Sequence, residues 1–393
     1  MKTIQWLIAL VFTVSVAHAQ QTVRIGSTLA LTGPLAATAA IHKVAGEIYV
    51  EELNKRGGLL GRKVEWVVKD DQSRPDLART LYEQLVTVDK VDLLVGPYAT
   101  ANILAAVGVA QRFNKIILHH TAGVPKLIKY DLSFPTGGLP SDPEVSLTEK
   151  VFDAVASAPR PPKTVAIVTS KFPSVHFISA GARDAAKKRG LNEVLWLEWE
   201  FGNRDFGAIA SRVKEANADF LFIGAIGVES LALLEALQKI EYSPRLHFHM
   251  FPAPGPLAKA PVAKNALALT TFEEHPPFTN NPTAAAFIPL YKERATKAGL
   301  PDNSVELQAA ASHATWQTLE AAVKGANSLD DKLIAAWLKK NRVDTIMGTL
   351  RWETENNYTP GGELYKVKQL QDGKWLVVWP KEFAAPGAKV IAP

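Results

Sequence analysis

The sequence predicts an α/β fold in two lobes, each a parallel sheet with helices on both faces. Three observations predict it. Short apolar strands alternate with amphipathic helices from residue 23 to 119, the pattern of βα units. The rhythm restarts after the proline-dense stretch Pro159-Arg160-Pro161-Pro162. It then gives way to two long helices and a β-rich tail, which have no βα rhythm of their own.

The first unit opens with a strand at 23–26 and a turn at Thr32-Gly33-Pro34. Residues 36–54 have helical spacing, closed by Gly57-Gly58. A strand at 63–69 alternates Val64, Trp66 and Val68 on one face. Pro75 opens a helix to about Val88, because proline suits the first helical turn. A buried-type strand at 91–95 ends in Gly96-Pro97, and Thr100 is placed to cap the next helix. Ile116 to His119 is the next strand.

In the second set, strands at 164–169, 194–199, 219–224 and 245–249 alternate with helices at 174–189, 206–217 and 228–240. Asn203-Arg204-Asp205 is the capping signal for the middle helix. Pro252 to Pro261 leads to a strand at 266–270. Helices at 283–298, 305–324 and 330–339 follow, then strands at 348–352, 364–370 and 375–379. The late helices are expected back on the first lobe and the tail strands on the second. The expected division is 1–19 as a signal peptide, 20–138 plus 271–346 as one lobe, and 139–270 plus 347–393 as the other. Gly137-Gly138, Thr270-Thr271 and Met347-Gly348 are candidate hinges at the crossings.

The N-terminus carries an export signal. Lys2 is the one charge in the first nineteen residues, a mostly apolar run from Ile4 to Val16 follows, and Ala17-His18-Ala19 supplies an A-x-A cleavage site. The run is shorter than the roughly 20 residues that span a bilayer. A periplasmic location is expected, with the mature chain starting at Gln20. The chain has no cysteine, which excludes disulfides, thiol nucleophiles, thiolate metal sites and a lipidated cysteine anchor. Its formal charge is +5, its basic residues are scattered, and nucleic acid is not an expected partner.

No motif for chemistry stands out. There is no G-x-S-x-G elbow, Walker loop, H-E-x-x-H or G-x-G-x-x-G. Asp70 and Asp71 are strand neighbours that point to opposite faces, so they suit structural contacts better than a shared proton. His247 and His249 share a face, but without a third ligand they make a weak metal site. The expectation is no enzyme, no cofactor and no metal.

Several segments in order resemble the periplasmic solute-binding proteins of branched-chain amino acid ABC importers, the leucine-binding type. They are Leu31-Thr32-Gly33-Pro34-Leu35-Ala36, Asp70-Asp71, Gly96-Pro97-Tyr98-Ala99-Thr100, Thr121-Ala122-Gly123-Val124-Pro125, Asp205-Phe206 and Ala218-Asp219-Phe220. The resemblance covers nearly the whole mature chain. It implies a Venus-flytrap fold of two Rossmann-like lobes, the type I periplasmic-binding-protein fold, joined by a three-crossing hinge. It implies an amino acid or related small carboxylate in the cleft, a membrane permease and an ATPase subunit as partners, and a monomer. Thr100 matches the position that gives a hydroxyl and backbone N–H to the ligand carboxylate, and Thr121 and Gly123 match the positions that supply backbone groups to the ligand's α-substituents. Ala99 and Ala122 are further candidate contacts, and Tyr98 either touches the ligand or covers the cleft rim.

The sequence departs from that family at the other end of the ligand. The family often has an aromatic at the position of Thr38 and tyrosines at those of Ser174 and Ile226. Amino acid binders place a glutamate after the strand at 245–249, where this chain reads Met250-Phe251-Pro252-Ala253-Pro254-Gly255. An ammonium buried without a partner is costly. Glu229 is near in sequence, on what reads as a solvated helix face. A wider, more apolar pocket follows, with Phe172, His176 and Phe251 as candidate walls and an aromatic or other organic acid as the rival ligand. A secreted ligand-sensing module is a second alternative. Mass spectrometry of the exported protein is expected to give a chain beginning at Gln20; retention of residues 1–19 would refute the cleavage site.

Overall fold

Two parallel sheets with the same strand order organise the molecule, described here from a computed structural model that covers residues 21–120 and 122–392. The predicted signal peptide lies outside the described residues. The first sheet contains β1 (Val23–Leu29), β2 (Val64–Asp70), β3 (Leu93–Val95), β4 (Ile117–His119) and β5 (Ser133–Pro135) in the order β2-β1-β3-β4-β5, all parallel. Between these strands run α1 (Ala36–Lys55), α2 (Pro75–Thr87) and α3 (Thr100–Arg112).

The second lobe begins with α4 (Pro143–Ala156). Its sheet contains β6 (Thr164–Ser170), β7 (Asn192–Trp199), β8 (Phe220–Gly227), β9 (Leu246–Pro252) and β10 (Leu267–Thr270), joined by α5 (Pro173–Lys188), α6 (Gly207–Ala216), α7 (Glu229–Lys239) and the short α8 (Pro254–Lys259). The parallel core runs β7-β6-β8-β9-β10, the same doubly wound order as the first lobe.

After β10 the chain returns to the first lobe as α9 (Pro282–Lys297), α10 (Leu307–Ala326) and α11 (Asp331–Leu338). Ala309, Ala310, Ala311 and Ala314 of α10 share a buried cluster with Ile41, Val44 and Ala45 of α1, and their small side chains let the two helices pack closely. A hairpin of β11 (Val343–Thr345) and β12 (Gly348–Leu350) follows. Then β13 (Lys366–Gln371) and β14 (Lys374–Trp379) extend the second sheet antiparallel beyond β10.

Most predicted elements are present. Asp330 caps α11 as an acidic N-cap should, accepting the N–H groups of Lys332 and Leu333. Asp205 accepts the Gly207 N–H at the start of α6. Three expectations about the elements fail, and β5, α4, α8 and β11 were not anticipated. The tail strand near residue 348 does not join the second sheet: β12 pairs with β11, and Leu350 and Trp352 pack among first-lobe residues such as Phe134 and Leu118. The segment after it stays there too, with Trp352 Nε1 donating to the Pro135 carbonyl and Asn357 Nδ2 to that of Ser133. Thr100 is not a cap but the first residue of α3, preceded by Ala99. Glu229 is buried rather than solvated, accepting from Trp199 Nε1 and the Gly202 N–H.

The chain passes between the lobes after β5, after β10 and after β12. The passage after β10 touches the β11–β12 turn, where Thr271 Oγ1 lies 3.1 Å from Met347 Sδ. Met347-Gly348, an expected crossing, therefore stays in the first lobe, and the third passage follows Asn357. Gly138 and Gly348, both at positive φ, pack against opposite methyls of Leu364. Beside the passages, Lys368 Nζ pairs with Glu273 at 2.6 Å, with both side chains almost fully buried. Removing one partner of such a pair strands the other charge. Lys368→Met is expected to cost about 3–5 kcal/mol in urea denaturation. The double variant with Glu273→Gln is expected to recover much of it; a single-variant loss below about 1 kcal/mol would contradict this.

Candidate functional site

In a doubly wound sheet, ligands sit beyond the carboxyl ends of the strands where the order reverses. Here the reversals fall between β1 and β3 and between β6 and β8. The structure places both against one cavity between the lobes. It is lined by Tyr98, Ala99, Thr100 and Gly123 from the first lobe and by Ser174, Ile226 and Phe251 from the second. The lobes are closed on each other. A Cβ on Gly123 would stand 2.3 Å from the Ser174 Cβ, and Lys126 bridges to Glu144 at 2.5 Å at the rim. The space left is about 20 Å³, room for about one water.

The local backbone aims polar groups into this space. After β3, Gly96-Pro97 turns the chain, and Ala99 takes φ 75° and ψ 142°. That conformation costs a residue with a Cβ about 1–3 kcal/mol. Helix α3 starts at the next residue, so its unpaired first-turn N–H groups and positive dipole end face the cavity. Thr100 Oγ1 accepts the Gly123 N–H at 2.9 Å. Its own proton is thereby free to be donated to an anion. Ser174 stands in the first turn of α5, so a second helix N-terminus approaches from the other lobe.

The remaining predicted residues fall elsewhere. Thr121 lies outside the described residues. Ala122 is buried behind the cavity, its carbonyl accepting from Tyr358 Oη at 2.8 Å. Thr38 is buried next to Tyr98, whose phenol is raised by burial with the Thr38 hydroxyl opposing the rise. Neither Phe172 nor His176 lines the cavity. Phe172 precedes α5 and packs on Phe201, with ring centroids 4.8 Å apart. His176 follows Ser174 by two residues, about 200° around the helix, and so points away. It pairs with Glu198 at 2.6 Å.

Four lining residues were not anticipated: Leu139, Leu307, Gln308 and Tyr365. Leu139 and Tyr365 lie just beyond a lobe crossing, whereas Leu307 and Gln308 open α10, the second helix after the chain's return to the first lobe. A chain that re-enters a lobe must start beside the cleft, and for Leu139 and Tyr365 that was the available signal.

Among the described residues no acid lines this cavity. Glu306, the N-cap of α10, accepts the Gln308 N–H and faces an adjoining small cavity that also contains Lys368. The two aspartates are structural: Asp70 accepts from Leu31, Thr32 and Gln72, and Asp71 from Thr28 and Ser73. His247 Nε2 donates to the Lys264 carbonyl, and its Nδ1 contacts His249. Among the described residues no cluster could hold a metal ion, and no helix is long and apolar enough to cross a membrane.

The periplasmic binding protein family model matches residues 22–374. The chain belongs to that family. It is 26% identical to the Leu/Ile/Val-binding protein of Escherichia coli K12 over 333 residues, covering 84% of this chain and 86% of that one. Its fold is that of a branched-chain amino acid transporter substrate-binding protein from Streptococcus pneumoniae in complex with isoleucine, with TM-score 0.74, 19% identity, and 95% and 100% of the chains covered. It is equally that of an ABC transporter solute-binding protein from R. palustris in complex with benzoate, with TM-score 0.76, 16% identity, and 94% and 99% covered. The expected type I fold is therefore established.

The charge beside the cavity has a measurable consequence. Burial pushes the Glu306 carboxyl up to about 7; Lys368 opposes the rise, Glu273 adds to it, the Gln308 N–H opposes it and Asp302 adds to it. Folded protein thus keeps a proton that the unfolded chain releases near 4.5. This contribution is intact below about pH 4.5 and is lost as pH rises through about 7. Glu306→Gln is expected to remove a decline of up to about 3 kcal/mol across that window in pH-dependent denaturation. An unchanged pH profile would contradict it.

Proposed function

We propose that this protein is the extracytoplasmic substrate-binding component of an ABC importer and captures a small carboxylate by lobe closure. The observation that carries the reading is the Thr100 hydroxyl, fixed by the Gly123 N–H at the start of α3, in a cavity enclosed between two lobes. A carboxylate there meets a free hydroxyl proton, unpaired helix N–H groups and a positive dipole end. Ligand bridging both lobes stabilises the closed form more than the open one, and only that difference shifts the population. The gap of about 20 Å³ requires the lobes to part for entry and to close less tightly around cargo. A membrane permease then receives the ligand, and its ATPase partner hydrolyses ATP. Export to the periplasm accords with the N-terminal signal and with the family.

A second reading concerns the cargo. The walls are Leu139, Ile226, Phe251 and Leu307, with no carboxylate to neutralise an ammonium. This favours an organic acid, aromatic acids included, over a branched-chain amino acid. Fold neighbours with isoleucine and with benzoate are both known.

Calorimetry on the purified mature chain tests both. Benzoate-type acids are expected to bind and be recovered unchanged, while benzamide is not expected to bind. Thr100→Val is expected to weaken acid binding by about tenfold, the value of a hydrogen bond to a charged group. Gly123→Ala is expected to abolish ligand-driven compaction in small-angle scattering. Benzamide binding as well as benzoate, or conversion of the ligand, would overturn the proposal. Tight leucine binding with no response to aromatic acids would overturn the second reading alone.

A further inference from the structure

Gln308 is the lining residue with the most defined hydrogen-bond state. Its backbone N–H is taken by Glu306 Oε1 at 2.9 Å. Its side-chain Oε1 lies 3.0 Å from His42 Nε2. An amide oxygen only accepts, so the proton of that bond belongs to His42 Nε2. His42 sits on α1, fully buried, between His120 at 4.2 Å and Tyr98 at 5.0 Å between ring centroids. Burial, with His120 nearby, holds its imidazole well below the ordinary value, so it carries one proton. His42 Nδ1 has no partner. A proton there would be an orphaned buried donor, which native structures avoid more strictly than a bare acceptor. The Nε2–H tautomer is therefore the favoured one, and it consumes the Gln308 oxygen. Gln308 lines the cavity, and with its oxygen taken by His42 its side chain has only the two amide N–H donors to offer a ligand.

From this geometry we infer that Gln308, held by His42, selects ligands that carry a hydrogen-bond acceptor in addition to the carboxylate and rejects those that carry an ammonium at that point. This rests on the carboxylate-binding reading above and deepens it. The ligand class is an oxo or hydroxy acid, or a second carboxylate. An ammonium offers only donors to the Gln308 donors, and no carboxylate lines the cavity to neutralise it. Gln308 is the specificity contact, and His42 is a positioning residue that acts through it.

Three acids with one skeleton isolate the group: 4-methylpentanoate, its 2-oxo derivative, and leucine. The pair 4-hydroxybenzoate and 4-(aminomethyl)benzoate repeats the comparison on a ring. In calorimetry with the mature chain, the acceptor-bearing member of each pair is expected to bind at least about tenfold tighter than the ammonium-bearing one. Gln308→Leu should erase the preference for the acceptor-bearing acid over 4-methylpentanoate. Gln308→Glu should reverse the ranking toward the ammonium. His42→Phe should reduce the preference and leave binding of 4-methylpentanoate in place, which a purely structural lesion would not do.

Long-range nitrogen–proton NMR on the unsubstituted protein should show the Nε2–H tautomer at His42. Equal binding of leucine and its oxo acid, retained discrimination in Gln308→Leu, or an Nδ1–H tautomer would overturn this inference and leave the carboxylate reading standing. Failure of every acid to bind would overturn both.

Discussion

The approach of the two lobes is set by a missing atom. Gly123 has no Cβ, and one there would stand 2.3 Å from the Ser174 Cβ, inside any tolerable contact. Because the space is free, the loop after β4 can press on the first turn of α5. That contact closes the cavity on the side where both sheet reversals meet. It also holds the Gly123 N–H where Thr100 Oγ1 accepts it, so closure and the proposed carboxylate contact share one backbone group. The loop is braced from behind by Tyr358, whose hydroxyl donates to the Ala122 carbonyl, and by Asn356, whose amide donates to the Pro125 carbonyl. A segment late in the chain thus fixes a site built early in it.

The passages between the lobes are coupled in a similar way. Leu364, on the last passage, fills the space left open by Gly138 on the first passage and by Gly348 in the β11–β12 hairpin. Both hold positive φ, where a side chain is strained, so neither position tolerates substitution cheaply. The passage after β10 joins this packing through Thr271, which touches Met347 of the same hairpin. Any movement of one lobe against the other would have to disturb this shared packing, because segments that touch cannot slide independently.

How much of this the residues announce depends on range. The strand and helix alternation is a local property of apolar spacing, and it located both sheets. The short strand β5 escaped because three residues carry no periodicity, and α4 because its prolines and glycine-rich approach suggest a loop. The tail strand at Gly348 was assigned to the wrong sheet because pairing partners are not local: Gly348 and Leu350 pair with Thr345 and Val343 just upstream. At the site, residues on one loop or helix start, such as Tyr98, Thr100 and Gly123, were legible from motif order. His176 was not, since the helical rotation between positions two apart turns it from Ser174 toward Glu198. Gln308 depends on a partner 266 positions away, and nothing local marks it.

Behind the ligand cavity the molecule keeps charges where apolar packing would be simpler. Lys368 pairs with Glu273, and Glu306 lies close enough for both to act on its proton. Buried pairs of this kind add little net stability over well-packed apolar groups. Their placement supplies another rationale. Lys368 comes from the second-lobe sheet, Glu273 from the passage after β10, and Glu306 from the start of a first-lobe helix. A carboxylate near a lysine across that boundary is satisfied only when the parts are in register. The same Glu306 accepts the N–H of Gln308, so the register of the lobes reaches the residue that faces the ligand. The proposed role of the cluster is thus to favour one geometry of closure over many, which recognition of the proposed ligand needs more than added stability.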